Sequence, residues 1–325
     1  MRAPFFIELI LLYFYVVAMQ VHNEVEKNMA EISASLVKEL REMTGLGMME
    51  CKRALAETDG DIKKAEELMR IKSGAKASKA ASRQAAEGTI GVYVSADAAV
   101  GALVEFNCET DFAARNVDLL AMAAALAKNV GNDKPADVAA LMNTHIDGEV
   151  AESKRAALVQ KIGENMNVRR FVRVGGSGSK VVSYVHGGGR IGVLVEFDGN
   201  ADIARDVAMH LAASVASTRA VCVSRDEVPA ELIEGERKIF AAQAAESGKP
   251  ADIVARMVDG RINKFLAEVA LLDQPFVKDP EQTVDKVLKA ANTKVHSFQM
   301  YVVGEGNEKK AVDYAAEVAA AVKGL

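Results

Sequence analysis

Apolar positions along the chain follow two periods. After Ser33 and Ser35, either of which can cap a helix, Leu36, Val37, Leu40 and Met43 recur at helical spacing. Gly45 and Gly47 end that helix in the turn TGLGM, and Met48–Leu55 restarts one. Asp59-Gly60-Asp61 breaks the second helix, and Asp61 caps a third with Ile62, Ala65, Leu68 and Met69 on one face. Residues 29–72 thus predict a small three-helix head. Residues 73–88, rich in Ala, Ser and Lys without an apolar stripe, read as a linker, either a frayed helix or a tether.

The body then repeats itself. Gly101-Ala102-Leu103-Val104-Glu105-Phe106 returns as Gly192-Val193-Leu194-Val195-Glu196-Phe197, 91 residues later. Strand patterns precede each copy at Thr89–Ser95 and Val181–His186, and Ala-rich helices follow at Phe112–Asn129 and Ile203–Val215. Two hairpin-plus-helix units favour an α+β fold, antiparallel sheets covered by helices. The expected halves are 89–180, and 181–228 with 275–305. Asp111 and Asp202 fall where strand gives way to helix and are expected as N-caps. The copies diverge there: Phe112 faces Ile203, and Asn107-Cys108-Glu109-Thr110 faces Asp198-Gly199-Asn200-Ala201. A grafted site is expected at such a point.

Residues 229–274 carry two helical stripes around Ser247-Gly248-Lys249-Pro250, predicting an inserted antiparallel helical hairpin. It is either a packed arm or a dimerisation arm. A strand over Val295–Val303 and a small-residue helix within 306–325 close the chain. The aromatic run FFIELILLYFYVVAM (Phe5–Met19) is too short and too interrupted for a spanning helix and lacks a signal-peptide cleavage site. Residues 1–28 are therefore read as a start-site artefact, with translation opening at Met29. A membrane-associating extension is the alternative.

Composition narrows the function. A formal net charge of −5 gives no basic excess for nucleic acid. Cys51, Cys108 and Cys222 form neither a zinc pattern nor a disulfide framework, which suits a reducing cytoplasm. Gly187, Gly189 and Gly192 satisfy G-x-G-x-x-G but precede a strand, so HGGGR reads as a hairpin turn and not as a dinucleotide fingerprint. The five histidines lack metal-ligand spacing, and Cys108 has no His partner in sequence. No metal, cofactor or catalytic residue is expected. A binding protein leads over an enzyme.

LREMTGLGMMECKRAL (Leu40–Leu55) and EFNCETDFAARN (Glu105–Asn116) are similar to the two signature segments of bacterial translation elongation factor Ts. KIGENMNVRR, HGGGRIGVLV, AMHLAAS, SGKP, QPFVKDP and YAAEVAA agree in the same order, from Met29 to the C-terminus. The head also resembles ubiquitin-associated domains, which present an apolar face to partners. The resemblance implies a guanine nucleotide exchange factor for elongation factor Tu. It would bind both GDP-bound and nucleotide-free forms, contact no nucleic acid directly, and with residues 29–325 no membrane. It implies that Thr110, Asp111, Phe112 and Ala113 dislodge the partner's Mg2+. Leu46, Gly47, Met48, Met49, His186 and Gly187 become secondary contacts, and the C-terminal helix a further docking element. Two departures stand out: a small Ala113, and a Ser217-Thr218-Arg219 segment without the family's Pro and aromatic. The rival reading is a scaffolding protein that docks through its head.

Overall fold

The structure, a computed structural model, describes residues 32–246 and 250–306. The leader and the C-terminal helix expected from sequence lie outside them, as does most of the Ser247–Pro250 turn. The described chain divides into two units: 32–83 with 147–165, and 84–146 with 166–306.

In the first unit, α1 (Ala34–Thr44) is capped by Ser33, whose hydroxyl accepts from Leu36 N–H, and ends at Gly45 in the left-handed region. α2 (Met48–Glu57) and α3 (Ile62–Ala80) follow, the latter capped by Asp61. Val37, Leu40, Leu46, Cys51, Leu55, Ala65 and Met69 form their core. α3 runs through the first half of the segment that reads as a linker, with Ser73, Ala77 and Ala80 buried. It packs on a helix over Ala151–Ile162. The sequence places that helix in the first core half. The structure assigns it to the head's unit, because small residues on α3 leave room for Leu158 and Val159.

The second unit holds two three-stranded antiparallel sheets of one design. β1 (Glu87–Val94) and β2 (Val100–Cys108) form a hairpin, and β3 (Asn167–Gly175) pairs with β2. β4 (Lys180–His186) and β5 (Ile191–Asp198) form the second hairpin, and β6 (Lys294–Val302) pairs with β5. The sheets share a core of Ile90, Leu103, Val181 and Leu194, two pairs of repeat equivalents. Their packing is reciprocal. A Cβ at Gly101 would lie 2.6 Å from Val181 and 3.1 Å from Leu194. At Gly192, the equivalent, it would lie 2.5 Å from Ile90 and 3.3 Å from Leu103. Close approach of the sheets requires glycine at both points.

The first repeat helix is not continuous. It splits into α4 (Asp111–Ala114) and α5 (Val117–Asp133) because Asn116 turns extended and its Oδ1 accepts from Asp118 N–H at 2.9 Å. In the second copy α6 (Ala201–Ser214) is unbroken. Its outward positions carry Asp202, Arg205 and Asp206, while Val207, Ala208 and Leu211 face the core. The N-caps are Thr110 and Asn200, one residue or more before the aspartates expected in that role. Asp111 and Asp202 stand in the first turn, where a carboxylate suits the helix dipole. The arm consists of α7 (Ala230–Ala245) and α8 (Ala251–Val269) around Ala244, Val258 and Ile262, with Phe240, Val254 and Leu266 against them.

Candidate interaction site

The turn after β2 is held by its own hydrogen bonds. Thr110 is extended, at φ −121° and ψ 157°, and its Oγ1 accepts from Ala113 N–H at 3.2 Å. Cys108 is buried and its Sγ donates to Thr110 O at 3.1 Å, so this thiol is structural. Asp111 pairs with Arg115 at 3.1 Å. Phe112 is 83% exposed, the most exposed large apolar side chain among the described residues. Ala113 and Ala114 are buried beneath it. The side chain of Ala113 therefore packs inward and supports the turn from below.

Two further apolar residues are exposed in the first turns of α5, Val117 at 76% and Leu120. Sequence reading passes over them, since an Ala-rich helix with Leu119, Met122 and Leu126 inside gives no polar face to orient it. The missed signal is the apolar character of the first outward turns.

His186 and Gly187 lie apart, on the β4–β5 hairpin. His186 is exposed at the end of β4, its ring stacked on Tyr184 at 6.1 Å. Gly187, Gly188 and Gly189 have φ of 61°, 66° and 97°, the left-handed geometry of a tight turn, as HGGGR predicts. In the head, Met43, Met48 and Met49 are each more than half exposed, beside an open groove with Ile32, Lys38 and Arg41. Leu46 belongs to the head's core and Gly47 caps α2 without a side-chain bond. Leu46 thus lies behind the face on which Met48 and Met49 are exposed.

Among the described residues no group of three or more His, Cys, Asp or Glu could hold a metal ion, and no helix is long and apolar enough to cross a membrane. Burial, reinforced by Glu227, pushes the Cys222 thiol up, away from a nucleophilic thiolate. The surface offers exposed apolar side chains, among them the aromatic Phe112 and the adaptable Met48 and Met49.

Residues 109–305 match the family described as Elongation factor TS. Elongation factor Ts of Chromobacterium violaceum is 59% identical over 295 residues, covering 91% of this chain and all of that protein. That of Nitrosospira multiformis is 56% identical over 298 residues, 90% of this chain and 97% of its own. Cupriavidus taiwanensis has one 58% identical over 294 residues, 90% and 98%. The chain belongs to the elongation factor Ts family. Within this elongation factor Ts chain the family match opens at Glu109, beside the Thr110 cap, and ends at Glu305. The elongation factor Ts relatives cover more, taking in about nine-tenths of the chain.

Proposed function

We propose that Phe112 is the wedge by which this chain opens the nucleotide site of elongation factor Tu. The chain is a guanine nucleotide exchange factor for that GTPase in translation elongation, the role of its family. The scaffolding alternative falls with that membership.

In a GTPase, Mg2+ bridges phosphate oxygens to protein ligands. Displacing its ligand shell weakens nucleotide binding without making or breaking a covalent bond. A capped turn suits this task. Thr110 and the buried Ala113 fix the backbone, so Phe112 arrives without much ordering cost. Asp111 is held by Arg115 and stands at the rim of the contact. Burying a fully exposed Phe contributes about 2 kcal/mol, and Val117 and Leu120 lie beside it to share that burial. Coupling is reciprocal: if the factor weakens GDP binding, GDP weakens the factor's binding equally. GTP then displaces the factor and completes the cycle.

Secondary contacts come from the methionine face of the head, Met48 and Met49 backed by Leu46 and Gly47, docking on the GTPase domain. His186 and Gly187 and the chain beyond residue 306 add others. The factor works in the cytoplasm as a noncovalent catalyst of exchange. It uses no cofactor, and residues 29–325 need neither nucleic acid nor membrane. Leu232, Ile239 and Ile253 remain exposed on the arm and offer a homodimer contact, which light scattering of the purified chain would read as a doubled mass.

The carrying observation is a Phe left 83% exposed on a turn that the protein otherwise braces tightly. Release of fluorescent GDP from elongation factor Tu tests it. The Phe112→Ala variant should slow stimulated release about 30-fold, the equivalent of a 2 kcal/mol hot spot. Equal acceleration by parent and variant would move the mechanism to the head or His186.

A further inference from the structure

A charged network not used so far sits just before the turn. Glu105 lies on β2, six residues ahead of Asp111, and is fully buried. Arg169 Nη1 reaches its Oε1 at 3.1 Å, Arg170 Nε reaches its Oε2 at 2.7 Å, and Gly304 N–H donates to Oε1 at 2.9 Å. Arg170 extends the network: its guanidinium stands 4.2 Å from the Tyr301 ring and its Nη2 donates to Glu305 at 3.5 Å. Glu305 is also paired with Arg219, from the segment that departs from the family pattern. Burying a carboxylate is costly unless it is paired and hydrogen-bonded, and these donors supply both.

The repeat supplies an internal control. Glu196 occupies the equivalent place on β5, half-buried, and accepts from the hydroxyls of Ser297 and Ser179. One sequence position has become a buried arginine node in the copy that carries Phe112 and a hydroxyl-bonded surface residue in the other.

The node also sits where the ladder slips. Between Glu105 and Phe106 the β2–β3 register shifts, with Arg169 the extra residue on β3; β6 carries the same bulge at His296, opposite Glu196 and Phe197, so the two copies differ in what holds the bulge and not in having one. Bonds then run stepwise to the turn. Asn107 Nδ2 faces two acceptors, Glu87 O at 3.1 Å and Glu105 Oε1 at 3.4 Å. With its amide held that way, the buried Asn107 Oδ1 has no partner among the described residues. Cys108 Sγ donates to Thr110 O, and Thr110 Oγ1 caps α4.

We propose that Glu105 is a positioning residue for exchange: with Arg169, Arg170 and Gly304 it ties β2 to the β3 bulge and so aims the Thr110–Phe112 turn. This rests on the reading of Phe112 as the wedge. The test uses the full chain and elongation factor Tu loaded with fluorescent GDP, measuring maximal release rate and half-saturating factor concentration separately. Glu105→Gln should lower the maximal rate about tenfold, since misplacing a positioned group costs rate at saturation, and leave half-saturation within about twofold. Glu196→Gln should change neither. In a Phe112→Ala background, Glu105→Gln should add less than about twofold, because both act through one side chain.

A folded Glu105→Gln protein with an unchanged maximal rate would overturn the assignment. So would equal losses in both backgrounds, or a loss matched by Glu196→Gln. Should Glu105→Gln fail to fold, Arg170→Lys keeps the charge but loses the planar donors, and about a threefold lower maximal rate is expected. An unchanged rate there overturns the proposal as well. Phe112→Ala alone reads the wedge. If it costs nothing, that reading fails by itself, and any Glu105 effect then has another origin.

Discussion

In the second half of the core, Ile203 lies partly buried against Val207 and Leu211 on a helix that runs unbroken from Ala201. In the first half, the matching Phe112 is 83% exposed on a helix of four residues. Everything beneath these positions is shared. Both halves carry a hairpin whose second strand takes a third strand on its free edge. Both place a glycine against the other half's Ile or Val and Leu. The copies therefore diverge at one point: symmetry builds the scaffold, and a local break at Asn116 leaves one helix start with an exposed apolar side chain. The outward residues tell the same story, Asp202, Arg205 and Asp206 on one helix and Val117 and Leu120 on the other.

The comparison breaks first at the shared glycines. Gly101→Val and Gly192→Val should each destabilise the protein by about 1–3 kcal/mol, by overpacking the same sheet contact from opposite sides. Urea unfolding would show it. Tolerance at one and collapse at the other would mean the packing is not reciprocal. Exchanging the roles of the helix starts comes next. Ile203→Ala should cost about 1–2 kcal/mol of stability and leave GDP release unchanged. Phe112→Ala should do the reverse, with a stability change within about 0.5 kcal/mol. A large stability loss in Phe112→Ala would place that residue in the core and end the contrast.

A buried histidine separates the halves by pH. His210 lies in the core of the second half, where the first has the buried Leu119. Its Nδ1 accepts from Val277 N–H at 3.2 Å, so Nε2 carries the proton and donates to Gln274 Oε1 at 2.8 Å. Burial holds its pKa below the usual value, against a smaller opposing effect of the Gln274 bond. The folded state thus favours the neutral ring. Its contribution is complete above about pH 6.5, the unfolded value, and is lost as pH falls through the depressed folded value. Unfolding midpoints between pH 7.5 and 5 should drop, and His210→Leu should flatten that drop while lowering stability throughout. An unchanged slope would assign it to other groups. The smallest effect belongs to Asp111→Asn. It removes an exposed pair with Arg115 worth about 0.2–0.5 kcal/mol, so melting should barely move while GDP release slows by a few-fold.

Much of this was readable in the residues. The repeat at a 91-residue offset, the head's helices with Ser33 and Asp61 as caps, the HGGGR turn and the helical arm all rest on local chemistry. Periodicity, cap oxygens and glycine backbones act within a few residues, so they leave a local trace. The resemblance carried the functional reading, and Phe112 stood out within the repeat because its partner copy has Ile. Other features left no such trace. Thr110 outcompeted Asp111 as cap because its extended backbone lets its Oγ1 accept from Ala113 N–H. The helix break at Asn116 had no proline or glycine to mark it. That Ala113 is buried while Phe112 is exposed was not legible either, since which side of a short turn faces inward depends on the sheet below.

By itself the sequence determined which segments become helix or strand, that two halves are copies, and which family the chain joins. Those properties depend on neighbours along the chain. Tertiary structure alone decided that Leu46 and Ala113 point inward while Met48, Met49, Phe112 and Val117 point out. It decided that residues 151–162 pack with the head's unit, and that Glu105 meets Arg169, Arg170 and a backbone amide almost 200 residues away. Burial and ion pairing depend on what folds against a residue, and no local pattern carries that information.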